Sequence, residues 1–444
     1  MKSLDRYGEA IVEYEGVAEI TFVEESGTVY KGYFEAKQMR TGGIAVGFVP
    51  VMNDEDNLTD STTLEFYSPT FHGVDADNWE LTSIGQTSRV PRIGFFGAIG
   101  SVAEPALVFG ASRLKARQKG ATESGYLKSS FLVSNLIWHL GRSVPNPITL
   151  ETDALKVTIT PVEDYLETAD SIKAIRGIDP TARVLIESPG DRRRSMEEYA
   201  EIMKNVVSIF RLTTGNKVDW YYGEALADSS ALVVERIHKD AVTGPFSKTF
   251  RSGVNIPLLR GLMEAFFSDC YKAIGQEDLT KLIDYFVNVC DETSYLEARG
   301  LLASTLADLI GQTHAEAMDC QNVMEEEDFN TEILPALQAA ISCIRIPELS
   351  DQLRERAIQQ LRGAFRHPFR KRLYLLAKKT NLPLSPKDIN RAVRIRNELV
   401  HSGKFLSENR EDWYEEYRFI VWLDFAALCR LSGYDGELSR SMLS

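Results

Sequence analysis

Long apolar runs are missing from this 444-residue chain. None approaches the roughly 20 residues that a helix needs to cross a bilayer, and the opening MKSLDRYGEA is too polar for a secretion leader, so a cytoplasmic protein with no membrane partner is expected. Cysteine is scarce: Cys270, Cys290, Cys320, Cys343 and Cys429 are odd in number and lack a C-x-x-C spacing, which excludes a disulfide scaffold and predicts buried free thiols. His72, His139, His238, His314 and His367 show no metal-ligand spacing, and His314 with Asp319 and Cys320 makes no zinc pattern. No metal or other cofactor is called for. A G-x-S-x-G elbow is absent, so acyl transfer has no support. Gly94, Gly97 and Gly100 in RIGFFGAIGS have the wrong spacing for a phosphate loop and no lysine follows, so they read as turn or bulge glycines. Positive charge is short overall, with 50 Lys and Arg against 64 Asp and Glu and a formal net charge of −14. That excludes an all-over nucleic-acid coat but not a local basic site.

What is present divides in two. Hydrophobic residues make up 44% of the chain, ample for two or three domain cores. Period-two patterns such as Ala18-Glu19-Ile20-Thr21-Phe22-Val23 predict half-buried strands at 18–23, 29–34, 63–67, 79–83, 131–136 and 155–160, with two more at 218–222 and 231–236. Turns are marked by Ser26-Gly27, Thr41-Gly42-Gly43 and Pro145-Asn146-Pro147. One helix interrupts them at 195–214, preceded by the run Asp191-Arg192-Arg193-Arg194, which is either an RNA contact or, more simply, a solvated loop. Beyond about residue 255 every pattern is helical, at 256–273, 279–289, 294–313, 331–343, 350–365, 370–379 and 410–431, around a motif helix at 386–401. The expected fold is α+β and multidomain. A β-rich domain over 1–250, an antiparallel sandwich or barrel-like sheet, precedes an all-α bundle over 251–444.

The motif helix has the clearest boundaries. Ser385 suits the N-cap, Pro386 the first helical position, Asp388 the acid of a capping box and Gly403 a left-handed C-terminal cap. Ala392, Ile395 and Leu399 recur at helical spacing and define a core-facing side. Asn397 and His401 are i,i+4 neighbours on another stripe, shared by Arg394 and Glu398, while Arg396 projects about 140° from His401. His401 falls in the last turn, where the carbonyl end of a helix favours a cation. An imidazole beside a permanent guanidinium charge suits phosphate chemistry.

Arg396-Asn397-Glu398-Leu399-Val400-His401 resembles the Arg-x(4–6)-His signature of HEPN domains in its RNxxxH form. The tail is similar too: an amphipathic helix with Tyr417, Trp422 and Phe425, closed by Leu431-Ser432-Gly433-Tyr434-Asp435-Gly436. That arrangement looks like the Apea-like branch, in which a β-rich region precedes the HEPN bundle. The resemblance implies a metal-independent endoribonuclease that works by attack of a ribose 2′-hydroxyl on the adjacent phosphate. Arg396, Asn397 and His401 would be catalytic, and the site would form at a homodimer or higher homo-oligomer interface. It further implies anti-phage defence by cutting host RNA, transfer RNA among the candidates, with the β-rich domain sensing an unknown trigger. Asp308 falls roughly where many relatives carry an acid facing the bundle interior, and it is either a supporting residue of the site or a helix-capping or core polar residue.

Residues 362–404 hold 12 Lys and Arg against Asp388 and Glu398, a local balance of 12 − 2 = +10 on an otherwise acidic chain. This strip makes Arg370, Lys371, Arg372, Arg391, Arg394 and Lys404 the candidate RNA contacts. Alternatively the strip meets acidic loops of the same chain. The competing functional reading is a non-catalytic HEPN module that binds RNA or protein partners, with Arg396 and His401 holding an interface.

Overall fold

The computed structural model describes residues 10–22, 29–39, 44–50, 69–83, 92–95, 105–110, 113–119, 125–137, 144–175, 179–226, 233–239, 256–267, 276–291, 293–320, 322–343, 355–356 and 366–440. The predicted strand at 63–67, the turns at Ser26-Gly27 and Thr41-Gly42-Gly43, and most of the predicted helix at 350–365 lie outside them. The chain divides into two compact units, Met1–Ser268 and Asp269–Ser444. The overall class is mixed: an antiparallel sheet in the first half and helices in the second.

Among the described residues the first unit holds fourteen strands in one ladder, β1 (Ala10–Phe22), β2 (Val29–Met39), β3 (Ile44–Pro50), β4 (Pro69–Asp75), β5 (Trp79–Ser83), β6 (Arg92–Phe95), β7 (Pro105–Gly110), β8 (Arg113–Gln118), β9 (Lys128–Ser134), β10 (Ile148–Glu151), β11 (Lys156–Pro161), β12 (Pro180–Glu187), β13 (Asp219–Leu226) and β14 (Val233–Lys239). Their order is β10-β11-β12-β9-β13-β14-β8-β5-β4-β1-β2-β3-β7-β6, and neighbours run antiparallel throughout.

The ladder is curled. β1 and β14 lie four strands apart, roughly 19 Å in a flat sheet, yet the Tyr14 hydroxyl is 2.9 Å from His238 Nε2. One core accordingly joins Tyr14, Phe34, Val46, Trp79, Leu81 and Leu114 from both arms of the curl. Gly16 permits the close approach of β4 to β1, because a Cβ there would fall 2.1 Å from the Val74 carbonyl oxygen.

Helices cover the sheet. α1 (Tyr165–Ile175) packs on β12, and α2 (Met196–Thr214) packs on β13, β14 and β9. A capping box at Ser195 with Glu198 starts α2, and left-handed Gly215 ends it. Arg194, in the run read as a loop, pairs its backbone with Tyr126 and donates from Nε to Ser188 Oγ at 2.9 Å. α3 (Ile256–Phe267), whose helical periodicity placed it with the later helices, packs on α2 and β10 within the first unit.

In the second unit α4 (Gln276–Cys290) and α5 (Leu296–Ala317) are followed by Glu326–Asp328, a π segment Phe329–Ile333, and α6 (Leu334–Cys343). Then come α7 (Phe369–Thr380), α8 (Pro386–Ser402) and α9 (Arg410–Leu431). α5 is the axis, in contact with α4, α7, α8 and α9. Its core includes Phe286, Ile310, Leu373, Ile395, Leu399 and Phe425, all but excluded from solvent. Cys290 and Cys429 are buried free thiols, Cys320 is half-buried and Cys343 is exposed. No helix among the described residues is long and apolar enough to cross a membrane.

Candidate functional site

α8 forms as its sequence dictates. The Asp388 amide donates to Ser385 Oγ (3.2 Å), and the Ser385 amide donates to Asp388 Oδ2 (3.0 Å). Pro386 opens the first turn, and Gly403 closes the last at φ 69° with its amide on the Leu399 carbonyl. Partial burial works to raise the Asp388 carboxyl, but the Ser385 hydrogen bond and the Arg440 guanidinium at 2.6 Å outweigh it and hold the group below its usual range. Ile389, Ala392, Ile395 and Leu399 form the buried face. Gly300 of α5 lets Leu399 and Phe405 approach, since a Cβ there would sit 2.6 Å from Phe405 Cζ and 3.3 Å from Leu399 Cδ1.

The opposite side of α8 presents Arg394, Asn397 and His401 to solvent, with Glu398 half-buried. Among the described residues none hydrogen-bonds the His401 side chain. The i,i+4 hydrogen bond from Asn397 to His401 does not form, and Asn397 Oδ1 accepts from Arg396 Nη1 at 3.2 Å. Arg396 reaches round the helix instead of towards His401. Its Nη2 lies 3.2 Å from Asp308 Oδ2, and its guanidinium carbon stands 5.8 Å from the centre of the Phe369 ring. Asp308, on α5, bridges two cations: its Oδ1 pairs with Arg372 Nη2 at 2.5 Å. Two guanidinium charges therefore share one carboxylate, leaving a local excess of one positive charge. All three side chains are mostly shielded, with 16% to 25% exposure, so these ion pairs are stronger than surface pairs.

The basic strip separates into two kinds of residue. Arg372 faces Asp308, whereas Arg370, Lys371, Arg394 and Lys404 are exposed, as are Lys378 and Lys379. The Lys371 ammonium lies 5.4 Å above the Tyr374 ring. Arg391 is exposed yet stacked, its guanidinium 4.6 Å over Phe419, and Arg440 approaches the same ring at 5.1 Å.

Two contributors escaped the sequence reading. Phe369 supplies the aromatic surface for Arg396, but at the start of a helix it looks like any core residue. His367, read from sequence as a surface or packing histidine, stands before α7. Its imidazole is held below the usual range by partial burial and then by the Lys371 and Arg372 charges. Among the described residues no three His, Cys, Asp or Glu side chains gather as a metal site. Comparisons with protein-family models, with curated proteins and with solved structures find no match for the chain, so the HEPN resemblance rests on its motif and tail residues.

Proposed function

We propose that the chain is a metal-independent endoribonuclease of the HEPN type. The observation that carries this reading is a fixed guanidinium, Arg396, held by Asp308 and Asn397 on the helix whose last turn exposes His401. In-line attack of a 2′-hydroxyl needs a group that moves protons and a permanent positive charge for the developing phosphorane. His401 serves as the acid-base group, and Arg396 serves the charge. One motif histidine per chain is few for proton transfer at both the attacking and the leaving oxygen, which favours a homodimer or higher homo-oligomer. Arg370, Lys371, Arg391, Arg394 and Lys404 guide the RNA backbone, while Arg372 acts inward through Asp308. The first unit senses the trigger, and the cellular role is anti-phage defence in the cytoplasm, transfer RNA being one candidate target.

Purified protein incubated with total RNA in excess EDTA should yield fragments ending in 2′,3′-cyclic phosphate. A strict need for a divalent ion, or 3′-hydroxyl ends, contradicts the mechanism. One observation favours a second reading. The two terminal nitrogens of Arg396 are engaged within the chain, as expected of a non-catalytic HEPN module that binds RNA or protein through the exposed strip. RNA binding without any cleavage selects that reading.

A further inference from the structure

The inner face of the curled sheet holds a chain of polar groups. On β14, Arg236 and His238 alternate with Ile237 and so project to the same face. The Arg236 guanidinium lies 4.2 Å over the Trp79 ring and 5.8 Å from the Tyr14 ring centre. Arg236 Nη1 donates to the Tyr14 hydroxyl at 3.4 Å, and that oxygen is 2.9 Å from His238 Nε2. A Tyr14 hydroxyl that accepts from Arg236 and donates to Nε2 leaves the imidazole hydrogen on Nδ1. His238 Nδ1 and Arg236 Nε are both buried, and among the described residues neither meets an acceptor.

The nearby acids do not answer this demand. Glu224 stands opposite Arg236 in register, but its carboxylate takes Arg183 Nη1 at 2.7 Å and the Tyr222 hydroxyl at 2.8 Å. Asp75 Oδ1 accepts the amides of Trp79 (2.7 Å) and Asp77 (3.0 Å). Arg236 is thus a stacked guanidinium with no ion pair among the described residues. Orphaned buried donors are costly, and a stacked arginine presents a pre-oriented fork to oxyanions. Access follows from exposure: Arg236 and Glu224 are half-buried and Arg183 is exposed, while Tyr14 and His238 are sealed.

We propose that Arg236, oriented by the Trp79 ring and by the Tyr14–His238 pair behind it, forms a binding site for the oxyanion group of a small molecule, a phosphate or carboxylate. This site lies in the first unit and stands whether or not α8 cleaves RNA.

The test is titration calorimetry on the full-length protein at constant ionic strength, using inorganic phosphate, uridine monophosphate and acetate as probes. Saturable binding of at least one probe is expected. Acetate alone identifies a carboxylate, phosphate together with the nucleotide a phosphoryl group, and the nucleotide alone a nucleotide site. Arg236→Lys keeps the charge but loses the stacked fork, and should weaken binding roughly tenfold, the equivalent of one charge-assisted hydrogen bond. Glu224→Gln should not weaken it. Should Arg236→Lys fail to fold, His238→Asn carries the same expectation. No saturable binding of any probe means that ordered water satisfies these donors and overturns the proposal. Binding undiminished in the folded variants also overturns it, since the anion then sits elsewhere, such as on the basic strip.

Discussion

The two units treat charge in opposite ways. In the curled sheet, charged groups are drawn inside and matched. Glu235, 1% exposed, receives Lys115 (2.8 Å), Arg117 (3.2 Å) and the Tyr126 hydroxyl (2.5 Å). Asp219 likewise holds Lys239 at 2.7 Å. In the helical unit most described cations are exposed, and the inward exceptions include Arg299, which donates to the Tyr417 hydroxyl at 2.7 Å, and the Asp308 bridge between Arg372 and Arg396. Matched interior charges specify a fold, because an alternative register would leave them unpaired. Surplus surface charges contribute little to folding and are available to a polyanion. Against that background, among the described residues, Arg236 in the matched unit and Asp424 in the helical core are two departures.

The comparison breaks most visibly at Glu235. Glu235→Ala should cost roughly 3 kcal/mol, the low end for a broken buried pair because Lys115 and Arg117 reach solvent. Chemical denaturation checks this, and a loss below about 0.5 kcal/mol would mean that the network is ornamental.

Asp424 comes next. It is fully buried, neither carboxyl oxygen has a partner among the described residues, and burial raises its pKa well above the usual value. A raised folded pKa means that the folded state keeps a proton which the unfolded chain has released, so stability falls as pH rises through that interval. Asp424→Asn should remove this slope, so that the variant gains stability relative to the wild type as pH rises towards neutrality. Unchanged pH dependence in thermal melts would indicate that the carboxyl is satisfied in solution.

His238 has the opposite sign. Burial, then the Arg236 charge, lower its pKa to about 3, so the unfolded chain gains a proton below about pH 6.5 that the folded state refuses. Stability is full above that pH and should fall by up to about 1.4 kcal/mol per pH unit as pH drops towards 3. His238→Asn should flatten that part of the profile. The same acid slope in both proteins would place the titration elsewhere.

The smallest stability effect belongs to the strip. Replacing Arg370 and Lys371 by Ala should change stability by less than about 0.5 kcal/mol yet lower the salt dependence of RNA binding. Arg372→Ala should behave differently, destabilising the unit through Asp308. Equal behaviour of all three would erase the distinction between inward and outward cations.

What the sequence revealed follows from locality. The α8 boundaries were legible because Ser385, Asp388 and Gly403 act within a few residues of themselves, and its buried stripe because Ile395 and Leu399 repeat with the helix. Alternation exposed β5 and β13, but β8, with Arg113, Lys115 and Arg117, is not among the predicted strands. Lys115 and Arg117 face Glu235, more than a hundred residues away in the chain. The strand order rests on such distant pairings, which no local pattern encodes. Periodicity made α3 a helix without saying which unit it covers. At the site the residue types were legible, and so was the divergence of Arg396 from His401, which helix geometry sets, but the bond between Asp308 and Arg372 was not.

The most direct test of the account is cleavage of RNA by His401→Ala. The side chain is exposed and none of the described residues hydrogen-bonds it, so the variant should fold and melt like the wild type. Its cleavage rate, measured in EDTA with the protein in excess over RNA, should fall by a factor of about 100 to 10,000, as when a general acid-base group is lost. Wild-type cleavage by a folded His401→Ala protein would contradict the assignment of His401 and the nuclease mechanism built on it.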